Sequence, residues 1–279
     1  MSKKVLSHVD ADGNATVQLN RPEVHNAFDP EMVEALTRTL KQLEADGRVR
    51  AIVLTGTGKT FSAGADIEHM RKSARFSRAQ NVENAKATAQ MLHTLYSLQK
   101  PTIACVRGAV RGGGVGLVAA CDIAIAERMA TFRLSEVRLG IMPAMIGPYV
   151  IAAMGERMAH RYMLSGEEFD VAEAYRIGLV HDICEEPELN AVVGRMLTNL
   201  YAGGPNAIAA IKRLIPELAA AGTDPAVVEK TAQRIAEIRA TPEAQEGLSA
   251  FLEKRKARWL EPAPQKKSGR KRARKSLSQ

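Results

Sequence analysis

Three short segments of this 279-residue chain carry groups that could do chemistry together. Gly112-Gly113-Gly114-Val115-Gly116 is a glycine run opening an apolar stretch, Phe61-Ser62-Ala63-Gly64-Ala65-Asp66 is a second small-residue loop, and Ser135-Glu136 brings one carboxylate. Glycine lets a backbone approach a ligand closely because no Cβ intervenes, and a run that opens a helix leaves N–H groups without intrahelical acceptors. Two such segments could donate to one oxygen anion while Glu136 handles a proton, the work of a general acid/base whose pKa burial raises toward neutrality. Taken singly, the glycine run could be a tight turn and Glu136 a surface partner of Arg133 or Arg138.

The elements that must position these groups follow from periodicity. Val5 to Val9 and Ala15 to Leu19 flank Asp12-Gly13 and predict a hairpin. Asp29 as N-cap, Pro30 in the first turn, apolar Val33, Leu36, Leu40 and Leu43, and Gly47 as the stop predict a helix. Ala51 to Thr55, Thr102 to Val106 and Ile123 to Ala126 read as buried strands, and Gln80 to Leu98 as a helix with Leu92 and Leu95 inward. From about Met145 helices dominate, with Ala207 to Ala221, Pro225 to Ala240 and Pro242 to Arg258 separated by Gly, Thr-Asp-Pro and Thr-Pro breaks. The expectation is an α/β core over residues 1–200, a helical region over 201–261 and a basic disordered tail over 262–279.

Composition excludes several classes. With aromatics at 4%, the core must rest on aliphatic residues and Met. Cys105, Cys121 and Cys184 lack paired or CxxC spacing, which suits buried thiols in a reducing compartment. No apolar leader or eighteen-residue apolar run occurs, so the expectation is a cytoplasmic protein without membrane insertion. His8, His25, His69, His93, His160 and His181 show no metal-binding spacing, and Walker and GxGxxG patterns are missing, so no metal and no nucleotide cofactor is expected. The net charge of +8 sits almost wholly in Lys266, Lys267, Arg270, Lys271, Arg272, Arg274 and Lys275. That tail could bind nucleic acid or an anionic surface, but no aromatic residue interleaves its charges to stack on bases, which favours a solubilising extension.

Taken in order, Asn20-Arg21-Pro22 with Asn26-Ala27, FSAGADI at 61–67, KPTIACVRGAVRGGGVGLVAACDIAIA at 100–126, FRLSEVRLGIMP at 132–143 and GLSAFLEKRKARW at 247–259 resemble the crotonase family, the enoyl-CoA hydratases and isomerases. The resemblance implies a spiral of ββα turns with a C-terminal helical trimerisation region, assembling as a homotrimer or a hexamer of two trimers. It implies an acyl-CoA thioester as substrate, with coenzyme A part of that substrate and no separate cofactor. It places the two oxyanion donors at the N–H groups of Ala63 and Gly113 and the catalytic acid/base at Glu136. Substrate contacts fall by the same likeness on Val24, on Ala63, Gly64, Ala65, Asp66 and Ile67, and on Gly112, Gly113 and Gly116. Phe251 and Lys254 match residues that reach the coenzyme A of a neighbouring subunit, and Asp66 is expected to orient its loop or cap the next helix.

One position departs from the family's hydratases. Gly116, twenty residues before Glu136, stands where they carry a first glutamate, so a single carboxylate would have to serve both proton transfers. Two activities survive that loss: isomerisation of an enoyl-CoA by Glu136 alone, or hydration as in the bacterial methylglutaconyl-CoA hydratases of leucine degradation, which the stretch from Gly112 to Asp170 resembles. The longer likeness favours the hydratase, acting on a branched or carboxylated enoyl-CoA. A substrate carboxylate would want a cation, for which Arg111 is the first candidate and Arg133 the second, unless both are ordinary surface arginines.

Overall fold

The computed structural model describes residues 3–223 and 225–260, so the basic tail lies outside the described residues. The chain opens with the expected hairpin, β1 (Val5–Val9) against β2 (Asn14–Leu19). Its turn is organised from Asp10, whose Oδ1 accepts from the N–H groups of Asp12 and Asn14, with Gly13 at φ +88°. Helix α1 (Pro30–Ala45) is capped by Asp29, which accepts from Met32 N at 2.8 Å, and buries Met32, Val33, Leu36, Leu40 and Leu43.

Strand β3 (Ala51–Gly56) is followed by α2 (Ile67–Ser73) and α3 (Arg78–Ser97), the latter begun by a capping box between Ser77 and Gln80. Then come β4 (Thr102–Val106), the short β5 (Ala109–Arg111), α4 (Gly113–Ala120), β6 (Ile123–Glu127) and the equally short β7 (Thr131–Arg133). Helix α5 (Gly147–Ser165) is interrupted at Gly155, whose φ of +76° is outside the helical range. After it lie β8 (Glu168–Asp170), α6 (Val171–Arg176), β9 (Asp182–Cys184) and α7 (Leu189–Ala202).

Two sheets result. The larger has the order β1-β2-β3-β4-β6-β9 and is parallel except at its first pair; the smaller is β5-β7-β8. Alternate residues of the large sheet face opposite ways, and both faces are covered. Ile52, Leu54, Ala104, Val106, Ala124 and Ala126 join the main core with α1 and α3 to α5. Ala51, Val53, Ile103, Cys105 and Ile125 pack with Leu189, Val192, Val193 and Leu197 of α7. The three cysteines are buried free thiols.

Helices α8 (Pro205–Ala221), α9 (Pro225–Arg239) and α10 (Pro242–Leu252) follow, α10 ending six residues before the Arg258 that periodicity suggested. Trp259 ties the segment back by donating to Ala202 O at 3.2 Å. These three helices hold Ala250 as their one fully buried residue and expose Ile211, Ile215, Val228, Leu248, Phe251 and Leu252. Among the described residues no helix is long and apolar enough to cross a membrane.

Candidate active site

The small sheet explains how motifs far apart in sequence meet. Arg111 at the end of β5 is in parallel register with Arg133 at the end of β7, so Gly112-Gly113 and Ser135-Glu136 leave the same edge side by side. A third segment joins them through a parallel bridge between Ser62 and Val110, and a fourth through one between Phe28 and Ala65. With Ser62, Val110 and Phe132 in register, Ala65, Gly113 and Ser135 lie the same distance further along each chain. The Asn20-to-Ala27 block holds this assembly rather than touching its chemistry. Buried Asn26 accepts from Arg21 N and donates to Thr57 O and Thr60 O, while the Arg21 guanidinium bonds Ala27 O and Asp66 Oδ2.

A cleft of ≈ 230 Å³ opens where these segments end. Ala63, Ala65, Gly112, Gly113, Ser135 and Glu136 form its inner end. Its apolar lining comes from Phe28, Val33 and Met70 and from Leu139, Ile141, Met142, Met145 and Ile146.

The backbone donors differ from expectation in one respect. Ala63 N–H is taken by His25 O at 2.8 Å and Gly64 N–H by Ser62 Oγ at 3.1 Å, so Ala63 has no free hydrogen for an oxyanion. Gly64, at φ +81°, turns the chain, and Ala65 next to it is exposed to the cleft. In its bridge with Phe28 the bonds are made by the neighbours, Phe28 N to Gly64 O and Asp66 N to Phe28 O, which leaves Ala65 N–H pointing away and unpaired. Gly113 is the first residue of α4 and its N–H has no intrahelical acceptor. The two segments touch: a Cβ on Gly64 would stand 3.1 Å from Gly113 N. The backbone N–H groups left free at this end of the cleft are therefore those of Ala65 and Gly113, the latter at the positive end of α4.

Glu136 opens a 3-10 turn, Glu136–Leu139, stopped by Gly140 at φ +71°. Its Oε2 is buried without a hydrogen-bond partner. Burial pushes the carboxyl above its ordinary range, more strongly than its own backbone N–H pulls it down. Gly112 makes room for it: with φ +47° and ψ −117° the backbone there suits glycine, and a Cβ would come 3.1 Å from Glu136 Oε1. The other carboxylate at the cleft, Asp29, is committed to Lys4, Arg21 and the cap of α1.

The remaining expected residues fall into place as follows. Asp66 is 5% exposed and caps α2 through His69 N at 3.0 Å. Burial pushes its carboxyl up, but the His69 N–H and the Arg21 guanidinium outweigh that and hold it below the usual range. Arg111 does not reach the cleft; its guanidinium bonds Thr131 O and Thr131 Oγ1 and pairs with Glu168 on β8, 2.5 Å away. Arg133, beside it on β7, lines no part of the cleft either. The expectation of a substrate cation at Arg111 or Arg133 gains no support, since Arg111 is committed to Thr131 and Glu168 and neither arginine lines the cleft. Gly116 is buried under Ile146, whose Cγ2 would lie 2.1 Å from a Cβ there. Val24 and Ile67 lie outside the cleft lining, as do the exposed Phe251 and Lys254.

Sequence reasoning passed over one polar group. His69 of α2 and Asn84 of α3 both line the cleft, with His69 Nε2 2.9 Å from Asn84 Oδ1. The two positions are fifteen residues apart on different helices, so no local pattern joins them.

A carboxylate with one buried, unpartnered oxygen, lining the same largely apolar cleft as two free backbone N–H groups, suits enolate chemistry on a carbonyl compound. Residues 11–262 match the enoyl-CoA hydratase/isomerase family model, and the chain belongs to that family. It is 33% identical over 245 residues to a putative enoyl-CoA hydratase of Thermus thermophilus, covering 88% of this chain and 96% of that one. A trans-2-decenoyl-[acyl-carrier-protein] isomerase of Streptococcus mutans is 29% identical over 92% of this chain and 98% of its own. Among solved structures, an enoyl-CoA hydratase from Shewanella pealeana superposes with a TM-score of 0.89 at 39% identity, over 92% of this chain and 96% of that one. AtuE of Pseudomonas aeruginosa gives 0.88 at 35%, over 93% and 100%. The crotonase fold expected from the motifs is the fold observed.

Proposed function

We propose that this chain reversibly hydrates a branched α,β-unsaturated acyl-CoA, with Glu136 as the sole proton carrier. The observation that carries this reading is the unpartnered Glu136 Oε2, buried at the inner end of the cleft that Ala65 and Gly113 also line. The thioester oxygen would accept from the Ala65 and Gly113 N–H groups, each such donor being worth about 3 kcal/mol of transition-state stabilisation. Glu136, as carboxylate, takes a proton from water while the water oxygen bonds to the β-carbon and the π electrons move onto the thioester oxygen. The enolate then collapses, and the same carboxyl delivers that proton to the α-carbon, so one water is added and Glu136 returns to its starting state. Gly116 takes no part.

A second reading rests on the same carboxylate. Because Glu136 is, among the described residues, the one cleft carboxylate free of a cation, a 1,3-proton shift between the α- and γ-carbons of an enoyl-CoA needs nothing further from the protein. Supplying 3-methylglutaconyl-CoA, crotonyl-CoA and a 3-enoyl-CoA in water labelled with oxygen-18 separates the two. Label in a 3-hydroxyacyl product supports hydration; rapid conversion of the 3-enoyl-CoA with no label in any product overturns it in favour of isomerisation.

The bare apolar surface of α8 to α10 supports assembly as a trimer or a dimer of trimers, in which Phe251 and Lys254, 80% exposed and exposed respectively, would serve a neighbour's coenzyme A.

A further inference from the structure

Away from the inner end and Asp29, the walls of the cleft are largely apolar, with polar groups gathered along one strip. Asn84 and Thr88 lie one turn apart on the same face of α3, and His69 faces them from α2. Ser73, also at the cleft, has its hydroxyl donated to Met70 O at 3.0 Å and is not available. The strip is different. Asn84 Oδ1 accepts from His69 Nε2, and the Asn84 amide N–H groups have no protein acceptor among the described residues; the Thr88 hydroxyl is likewise unpaired there. The His69 ring is fixed by that bond and by an edge contact with Phe76, centroids 6.1 Å apart, so the group is held in place before any ligand arrives. Among the described residues neither Lys nor Arg lines the cleft. Donors left unpaired in a mainly apolar enclosure weaken binding of a hydrocarbon and favour an oxygen that can accept from them.

We propose that Asn84, held in place by His69, and Thr88 form a hydrogen-bonding subsite for an oxygen carried on the acyl group away from its reacting carbons, so that the chain prefers an oxygen-bearing acyl-CoA over a plain hydrocarbon one of the same length. The proposal rests on the acyl-CoA reading of the cleft but not on which reaction follows. It also supplies the polar contact that Arg111 does not, since Arg111 is spent on Glu168 and Thr131.

Binding of saturated acyl-CoAs tests it without turnover. The full chain is titrated with 3-methylpentanoyl-CoA, 5-hydroxy-3-methylpentanoyl-CoA and 3-methylglutaryl-CoA, which differ only in ending on methyl, hydroxyl or carboxylate. The native protein should bind at least one of the oxygenated pair about tenfold more tightly than the hydrocarbon, and which one it is separates hydroxyl from carboxylate recognition. Asn84→Leu should erase that preference while leaving 3-methylpentanoyl-CoA bound as well or better, and Thr88→Val should reduce it by a smaller factor with the shape of the wall kept. Equal affinity of the native protein for all three ligands overturns the proposal. So does an Asn84→Leu protein that loses affinity for all three in the same proportion, because that is the mark of a residue that only shapes the wall. If the preference is found but labelled water is never incorporated, the subsite stands and the hydratase reading alone fails.

Discussion

Gly116 offers the sharpest test, because the structure fixes what a side chain there would meet. A Cβ would sit 2.1 Å from Ile146 Cγ2, 2.7 Å from Ile146 Cβ and 3.6 Å from Leu92 Cδ2. Ile146 cannot simply swing aside. It is 3% exposed, β-branched, and its carbonyl accepts from Tyr149 and Val150 at the start of α5. Alanine in a helix interior is favoured over glycine by about 1 kcal/mol. Overpacking of this kind costs about 1–3 kcal/mol, and contact with a Cβ as well as a methyl puts the site at the upper end of that range. Gly116→Ala should therefore destabilise by about 1–2 kcal/mol. Ile146→Ala alone should cost about 2–5 kcal/mol through the cavity it leaves. Together they should cost at least about 1 kcal/mol less than their sum, since each relieves the other's defect. Urea unfolding of the four proteins at one fixed concentration measures the cycle. Additivity within about 0.5 kcal/mol, or a Gly116→Ala protein as stable as the parent, refutes the argument. A corollary concerns chemistry: Gly116→Glu alone should add no crotonyl-CoA hydration, whereas Gly116→Glu with Ile146→Gly opens the space a second carboxylate needs.

Glu136→Gln should lower turnover by about 10² or more while acyl-CoA affinity stays within a few-fold, as steady-state kinetics and binding titration will read. The same variant tests the burial of the carboxyl. A folded pKa raised above the unfolded value gives stability that is present below the unfolded pKa and lost as pH rises through the folded one. Glu136→Gln should thus unfold at higher urea than the parent at neutral pH, with the gap closing below the ordinary Glu pKa of about 4.3; a constant gap across pH would contradict it. Gly112→Ala should cost about 1–3 kcal/mol and reduce kcat/KM, because it combines a backbone conformation suited to glycine with a contact on Glu136 Oε1; unfolding and kinetics report the two effects, and an unchanged enzyme would disprove the close approach. Sedimentation at micromolar concentration should show trimers or hexamers and no stable monomer, and an active monomer would contradict the shared assembly.

Much of this protein is legible locally. The hairpin, the capped helix from Pro30 to Ala45 and the strands at Ala51, Thr102 and Ile123 are written in short-range periodicity and caps, which is where side-chain direction repeats every two or 3.6 residues. The three-residue strands β5, β7, β8 and β9 were not, because a run that short has no period to read and exists only through its partners. The motifs marked segments that do come together, and Glu136 and Gly113 both line the cleft. What they could not mark is which N–H is free. Ala63 and Ala65 differ only in what lies beside them, His25 O for one and open cleft for the other, and that is decided by a chain segment some forty residues earlier. Arg111 pairs with Glu168, Ile146 fills the space above Gly116, and Asn84 meets His69 for the same reason. Residue type and spacing determine what a group can do, whereas its direction and its neighbours come from long-range packing, and a free backbone donor, a half-buried arginine committed to a glutamate and a polar strip are each defined by their neighbours.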